Sequence, residues 1–205
     1  MVISVFLHIL LAISSHAPLV TSQVTNLPPT TPGVFSAGTR IEISSTAAAA
    51  YQALTDFPNY AAWNPFVRAA IVVSPLNHSL PEQYPIEGKN IFLRVQIPPL
   101  AFPVDKDTPD NPLATQFSYE KITAVQPELG RLAWKFQPDT PGVLQAERWQ
   151  AVSDLGNGKV LYESREVFRG VGAVTLKATL GENLQKGFDA QGVGLKTLLE
   201  SGSGT

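Results

Sequence analysis

Apolar residues recur along this chain in two rhythms. Between residues 115 and 169 they alternate with polar ones in four runs, at 115–125, 131–137, 143–152 and 159–169, separated by the turn-forming stretches PELG, PDTPG and DLGNG. A two-residue period broken by Gly, Pro and Asn predicts antiparallel strands joined by short turns. From 173 to 200 the spacing changes. Leu176, Leu180, Leu184, Phe188, Gln191, Leu195 and Leu198 follow one another at three and four residues, which predicts an amphipathic helix of about seven turns. Gly181, Gly187, Gly192 and Gly194 each weaken such a helix by roughly 1 kcal/mol relative to alanine, so packing must hold it. Gly187 and Gly194 fall on or beside the apolar stripe, where a missing side chain leaves room.

Upstream, 36–43 reads as a first strand, and Thr46 as the N-cap of an alanine-rich helix over 47–54. Pro58 breaks that helix and opens a second short one toward Trp63, which Asn64-Pro65 ends. Asp56 and Asn64 suit capping and turn roles, and Trp63 suits a plug between the short helices and the sheet. Strands at 66–73 and 90–97 follow, each trailed by an irregular stretch. The second of these, 98–112, carries five prolines and three aspartates and reads as loop or lid material. The fold class is α+β: one domain over 36–200, with a long terminal helix laid across a curved antiparallel sheet, and a tail at 201–205.

The first residues have a different character. VISVFLHILLAI at 2–13 is an apolar run of signal-peptide length, short for a bilayer span. It predicts a signal peptide over 1–22 and a secreted or secretory-pathway protein. The alternative is a membrane anchor formed by the uncleaved segment. After cleavage no stable membrane insertion is expected. Residues 23–35, rich in Pro and Thr and free of charge, read as an extended linker. Asn77-His78-Ser79 is a glycosylation sequon in a loop-like stretch, in keeping with that route.

Composition removes several chemistries. The chain has 205 residues and no cysteine, and its three histidines are His8, His16 and His78. Thiolate catalysis and Cys-ligated zinc are therefore excluded, and a histidine-rich metal site cannot be built. No metal and no other cofactor is expected. A net charge of −2 without a basic stripe argues against nucleic acid as a partner.

The order of elements, together with Ile43-Ser44-Ser45, Leu54-Thr55-Asp56-Phe57-Pro58-Asn59-Tyr60 and Trp63-Asn64-Pro65-Phe66, resembles the START/SRPBCC superfamily, in particular its polyketide cyclase/dehydrase and coenzyme-Q-binding-like branch. Gly130-Arg131-Leu132-Ala133-Trp134, Glu147-Arg148-Trp149, Glu166-Val167-Phe168-Arg169-Gly170 and Leu195-Lys196 add to the likeness, which spans 40–200. The resemblance implies a helix-grip fold with a deep cavity for an apolar ligand, and no particular activity. Many members carry histidine at the position of Glu147, so a role resting on that imidazole does not carry over.

Strand parity supplies expectations about the cavity. A hairpin closed around Asn157-Gly158 pairs odd with even positions. Arg148, Glu163, Arg165 and Arg169 then share the solvated convex face, while Trp149, Tyr162 and Phe168 face inward with Glu147 and Glu166. Gln145, Ser164 and Lys121 point inward in the same scheme. The expected ligand-binding residues are Phe117, Tyr119, Trp134, Phe136, Trp149, Tyr162, Phe168, Leu184, Phe188 and Gln191. A desolvated carboxylate can act as acid or base near neutrality, so Glu147, Glu166 and Tyr162 are the catalytic candidates if the protein is an enzyme. Three functions fit: a binding module for a small apolar metabolite such as a polyketide, terpenoid or lipid; a cyclase or dehydratase using the same cavity; and a secreted interaction module using the 98–112 loop.

Overall fold

The computed structural model describes residues 25–138, 140 and 142–201. The signal-peptide reading of 1–22 and the tail beyond 201 fall outside the described residues. One antiparallel sheet holds seven strands among these residues: β1 (Phe35–Ser44), β2 (Val67–Val73), β3 (Asn90–Gln96), β4 (Thr115–Gln126), β5 (Arg131–Phe136), β6 (Gln145–Gly156) and β7 (Lys159–Arg169). Their spatial order is β1-β7-β6-β5-β4-β3-β2. Helix α1 (Ala47–Thr55) and a 3-10 helix (Phe57–Ala62) sit between β1 and β2, and helix α2 (Gly172–Ser201) closes the chain across the concave face.

Local chemistry explains the α1 region. The Ala49 amide donates to Thr46 Oγ1 at 3.1 Å, the N-cap bond that the sequence predicts. Asn59 Nδ2 donates to Asp56 Oδ2, and the buried Tyr60 hydroxyl donates to the Leu54 carbonyl, both at 2.6 Å. Asn64 Oδ1 accepts from the amides of Phe66 and Val67, turning the chain into β2.

Both edges of the sheet are covered, which removes an open template for strand addition. On β1, Gln185 of α2 donates to the Gly38 carbonyl at 2.7 Å and accepts from its amide at 3.2 Å. On β2, Gln83 does the same for Val72, at 3.1 and 3.0 Å. The helix can approach this closely because its glycines are filled from outside. A Cβ on Gly187 would stand 2.6 Å from the Phe66 ring, and one on Gly194 would collide with the Trp63 carbonyl.

Two irregular segments are held more firmly than their composition suggests. Arg68 pins the 98–112 loop: its guanidinium donates to Asp110 Oδ1 (3.1 Å) and to the carbonyls of Asp105 (3.0 Å), Thr108 (2.9 Å), Ala61 (2.5 Å) and Asn64 (3.2 Å). Residues 25–34 are extended, as the Pro/Thr composition predicts, but form a strap on the convex face. There Asn26 bonds Glu163, Arg131 and the Val152 and Leu129 carbonyls, Arg165 donates to the Pro28 carbonyl, and Arg169 donates to Thr30 and Thr31.

The β6–β7 hairpin corrects the parity scheme. Gly156 pairs with Lys159 around Asn157-Gly158, odd with even as expected. The register then shifts by one residue, so Asp154 opposes Val160 and every later pair joins like parities, including Arg148 with Glu166. Gly156 has φ +75°, and its amide bonds to Asp154 Oδ1 at 2.8 Å, which stabilises the bulge. The side chains of β6 are therefore reversed: Ala146, Arg148 and Gln150 face α2, whereas Gln145, Glu147 and Trp149 belong to the convex face. β7 keeps its expected orientation, with Tyr162, Ser164, Glu166 and Phe168 inside and Arg165 outside.

Candidate functional site

A cavity of about 230 Å³ lies between α2 and strands β3 to β7. Its helical wall is Leu176, Leu180 and Leu184, the three- and four-residue stripe seen in the sequence, and its sheet wall includes Leu93, Val95, Trp134, Phe136, Ala146 and Phe168. Leu144 and Phe66 complete the apolar surround. A cavity of about 150 Å³ with such walls takes up a benzene-sized guest, so this one has room for a somewhat larger molecule.

Polar groups occupy one part of this surface. Cross-strand pairing sets Ile122, Trp134, Arg148 and Glu166 in one row on four neighbouring strands, and Glu120 opposes Phe136 in the next row. Arg148 is only 2% exposed. Its guanidinium lies over the Phe188 ring, 4.2 Å from the centroid, with Phe66 and Trp134 each at 5.6 Å. Such a cage partly offsets the cost of burying a cation. Nε donates to Ser164 Oγ at 3.2 Å and Nη2 to Gln191 Oε1 at 2.9 Å. Gln191 in turn donates to Gln150 Oε1 (3.0 Å) and to the Tyr162 hydroxyl (3.1 Å), and that hydroxyl donates to Gln150 Oε1 at 2.6 Å. Arg148 is thereby held in one position by a buried network.

The carboxyls are less well served. Glu120 accepts from Ser118 Oγ at 2.8 Å through Oε1, while its buried Oε2 has no partner. Burial, with the like charge of Glu166, pushes the Glu120 carboxyl up to about 8, with Ser118 and Arg148 pulling against it. Burial likewise pushes Glu166 up to about 7, with Arg148 opposing. Neither carboxyl comes within salt-bridge distance of Arg148 among the described residues. The cavity can thus offer a fixed cation beside two carboxyls able to exchange protons near neutrality.

The expected site residues are distributed as follows. Trp134, Phe136, Phe168, Leu184 and Glu166 line the cavity. Tyr162, Phe188 and Gln191 are buried behind it and hold Arg148 rather than facing the void. Phe117 borders the cavity, but it is 62% exposed and stacks on Phe92 of the convex face. Tyr119 lies on that face too, its hydroxyl accepting from Asn90, and Lys121 follows it. Glu147 and Trp149 are placed on the convex face by the bulge, so Glu147 is not positioned to act with Glu166. Arg148, Glu120 and Ser118 escaped the sequence reading. Two cues carry them: a second glycine, Gly156, just before Asn157-Gly158, which marks the bulge, and the polar series Gln116-Ser118-Glu120, which alternates with the aromatics expected to face inward.

Comparison with solved structures sets this architecture in context. A hypothetical protein from Helicobacter pylori superposes with a TM-score of 0.61 at 13% identity, over 82% of this chain and 89% of that one. A START superfamily protein from Mycobacterium smegmatis gives a TM-score of 0.52 at 15% identity, over 81% and 97%. The fold is the START-type helix grip. The di-domain ARO/CYC BexL from the BE-7585A biosynthetic pathway shares the helix grip as well, with a TM-score of 0.54 at 11% identity over 80% of this chain and 47% of that larger one. No family model matches the chain, and no curated protein matches it.

Proposed function

We propose that this protein binds a small, largely apolar molecule between the sheet and α2. The observation that carries this reading is the 230 Å³ cavity walled by Leu176, Leu180, Leu184, Phe136 and Phe168, because apolar burial drives uptake of a matching guest. The likeness in fold to a START superfamily protein supports it. Leu180→Trp would fill the cavity from the helix side. The variant should keep its melting temperature within a few degrees and lose binding of butylbenzene, measured by ligand-observed NMR. Unchanged binding in that variant would place the guest elsewhere. Native mass spectrometry of protein purified from its own host would then identify the natural guest, whether polyketide, terpenoid or lipid.

A second reading, a cyclase or dehydratase, is favoured by the pair Glu120 and Glu166, whose raised proton affinities suit general acid and base chemistry. Glu166→Gln distinguishes the two: turnover of a β-hydroxy ketone disappears in an enzyme, whereas a carrier turns nothing over in either form. We also propose a secretory route, supported by the apolar run at 2–13 and by the exposed turn that presents Asn77. In a eukaryotic host the protein should reach the medium with an N-terminus near Gln23 and shift on N-glycosidase treatment. Retention in the cytosol with Met1 intact would sink this route.

A further inference from the structure

The polar groups of the cavity are only partly used by the protein. Arg148 spends Nε on Ser164 and Nη2 on Gln191, and Nη1 donates to no atom among the described residues. Glu166, 9% exposed, lines the void without a hydrogen-bond partner, and Glu120 Oε2 is buried without one. A buried oxygen left without a partner, as Glu120 Oε2 is, is costly, and here a donor and two carboxyls share one small cavity.

Their charges narrow the guest. The groups that face the cavity from each packed element are Glu120 of β4, Arg148 of β6 and Glu166 of β7; the α2, β3 and β5 walls are uncharged. An anionic guest drawn to Arg148 would meet two carboxyls, and a cationic one would meet a guanidinium caged beside Phe188. A neutral polar end avoids both penalties. Arg148 and Glu166 are directly paired across β6 and β7 yet stay outside salt-bridge contact, so two atoms of a guest, close together in its own skeleton, can reach one each.

We propose that the ligand is an apolar molecule whose buried end is a neutral hydroxy-carbonyl, with the carbonyl oxygen accepting from Arg148 Nη1 and the neighbouring hydroxyl bound by Glu166. This rests on the apolar-cavity reading above. Gln191 and Ser164 are positioning residues that aim the guanidinium, and Leu176 and Leu180 take the apolar body.

Calorimetric titration with butylbenzene, 4-phenylbutan-2-one, 4-hydroxy-4-phenylbutan-2-one and 4-phenylbutyrate tests the assignment. The ketone should bind about tenfold tighter than butylbenzene, as expected for a hydrogen bond to a charged donor, and the hydroxy-ketone tighter again. Arg148→Met should erase the ketone's gain over butylbenzene. Glu166→Leu, on the opposite strand, should erase only the gain from the hydroxyl, and it preserves the test should the arginine variant fail to fold. A hydroxy-ketone no tighter than butylbenzene would overturn the proposal, and so would an anion, 4-phenylbutyrate, that binds best. Failure of all four probes would instead overturn the apolar-cavity reading beneath it.

Discussion

Arg68 and Arg148 are buried to nearly the same extent, 3% and 2% exposed, in surroundings that differ in kind. Arg68 meets a carboxylate and four backbone carbonyls, so its donors are consumed by the loop it clamps. Asp110 is shared with Arg94, which ties β3 into the same cluster. Arg148 meets only neutral side chains and aromatic faces, its Nη1 donates to no atom among the described residues, and it lines a cavity shared with two carboxyls. Burial by itself therefore does not separate a structural arginine from a ligand-facing one. The number of donors left over does, because each unspent donor in a low-dielectric site is binding energy held for something else.

That contrast breaks if the two arginines respond alike to removal. Arg68→Met should cost about 3–5 kcal/mol of stability, since it strips four carbonyls of their donor and leaves Asp110 only Arg94. Chemical denaturation would measure this, and a loss below about 1 kcal/mol would mean that the loop is not clamped.

The carboxyl side is sharpened by pH. A folded-state carboxyl pKa raised above its unfolded value leaves stability intact below about pH 4.5 and erodes it as pH rises toward the folded value, which is about 8 for Glu120. Glu120→Gln should accordingly match or trail the parent at pH 4.5. At pH 9 it should exceed the parent by of order 2 kcal/mol or more, given about 1.4 kcal/mol per pKa unit. Melting curves that keep the same gap at both pH values would refute a buried, proton-hungry Glu120.

Arg148→Met should lower stability by only about 1–2 kcal/mol, since a buried ion exchanged for an apolar side chain of similar volume removes its own desolvation cost, while Gln191 and Ser164 lose a donor. A cost equal to that of Arg68→Met would make it a second clamp. Smallest of all, Arg165→Gln removes one bond to the Pro28 carbonyl of the strap and should shift stability by less than about 1 kcal/mol, with butylbenzene binding unchanged by titration.

Much of this protein was legible in its sequence, for local reasons. The helical spacing of Leu176, Leu180 and Leu184 predicted the wall they form, and Thr46 and Asn64 announced their cap and turn through the reach of short polar side chains to nearby amides. Trp134, Phe136 and Phe168 followed from alternation within uninterrupted stretches of strand. Errors began where alternation had to be carried across a connection. The turn forms at Asn157-Gly158 as its residues predict, yet one extra residue at the bulge beside Gly156 places Glu147 and Trp149 outside and Arg148 inside. On β4 the alternation suggests Phe117 and Tyr119 for the inner face, whereas Ser118 and Glu120 hold it.

By itself the sequence determined which elements form, where they stop and that a helix must lie on a sheet, because periodicity, caps and turn residues act over a few neighbours at a time. It also determined that cysteine plays no part and that histidine could contribute little. Only the tertiary structure decided that Arg148, Glu120 and Glu166 line one cavity. Their residues lie on three strands, and whether they share a face depends on a register summed through every bulge and turn between them. A single inserted residue reverses that sum without changing the local propensity of any residue around it.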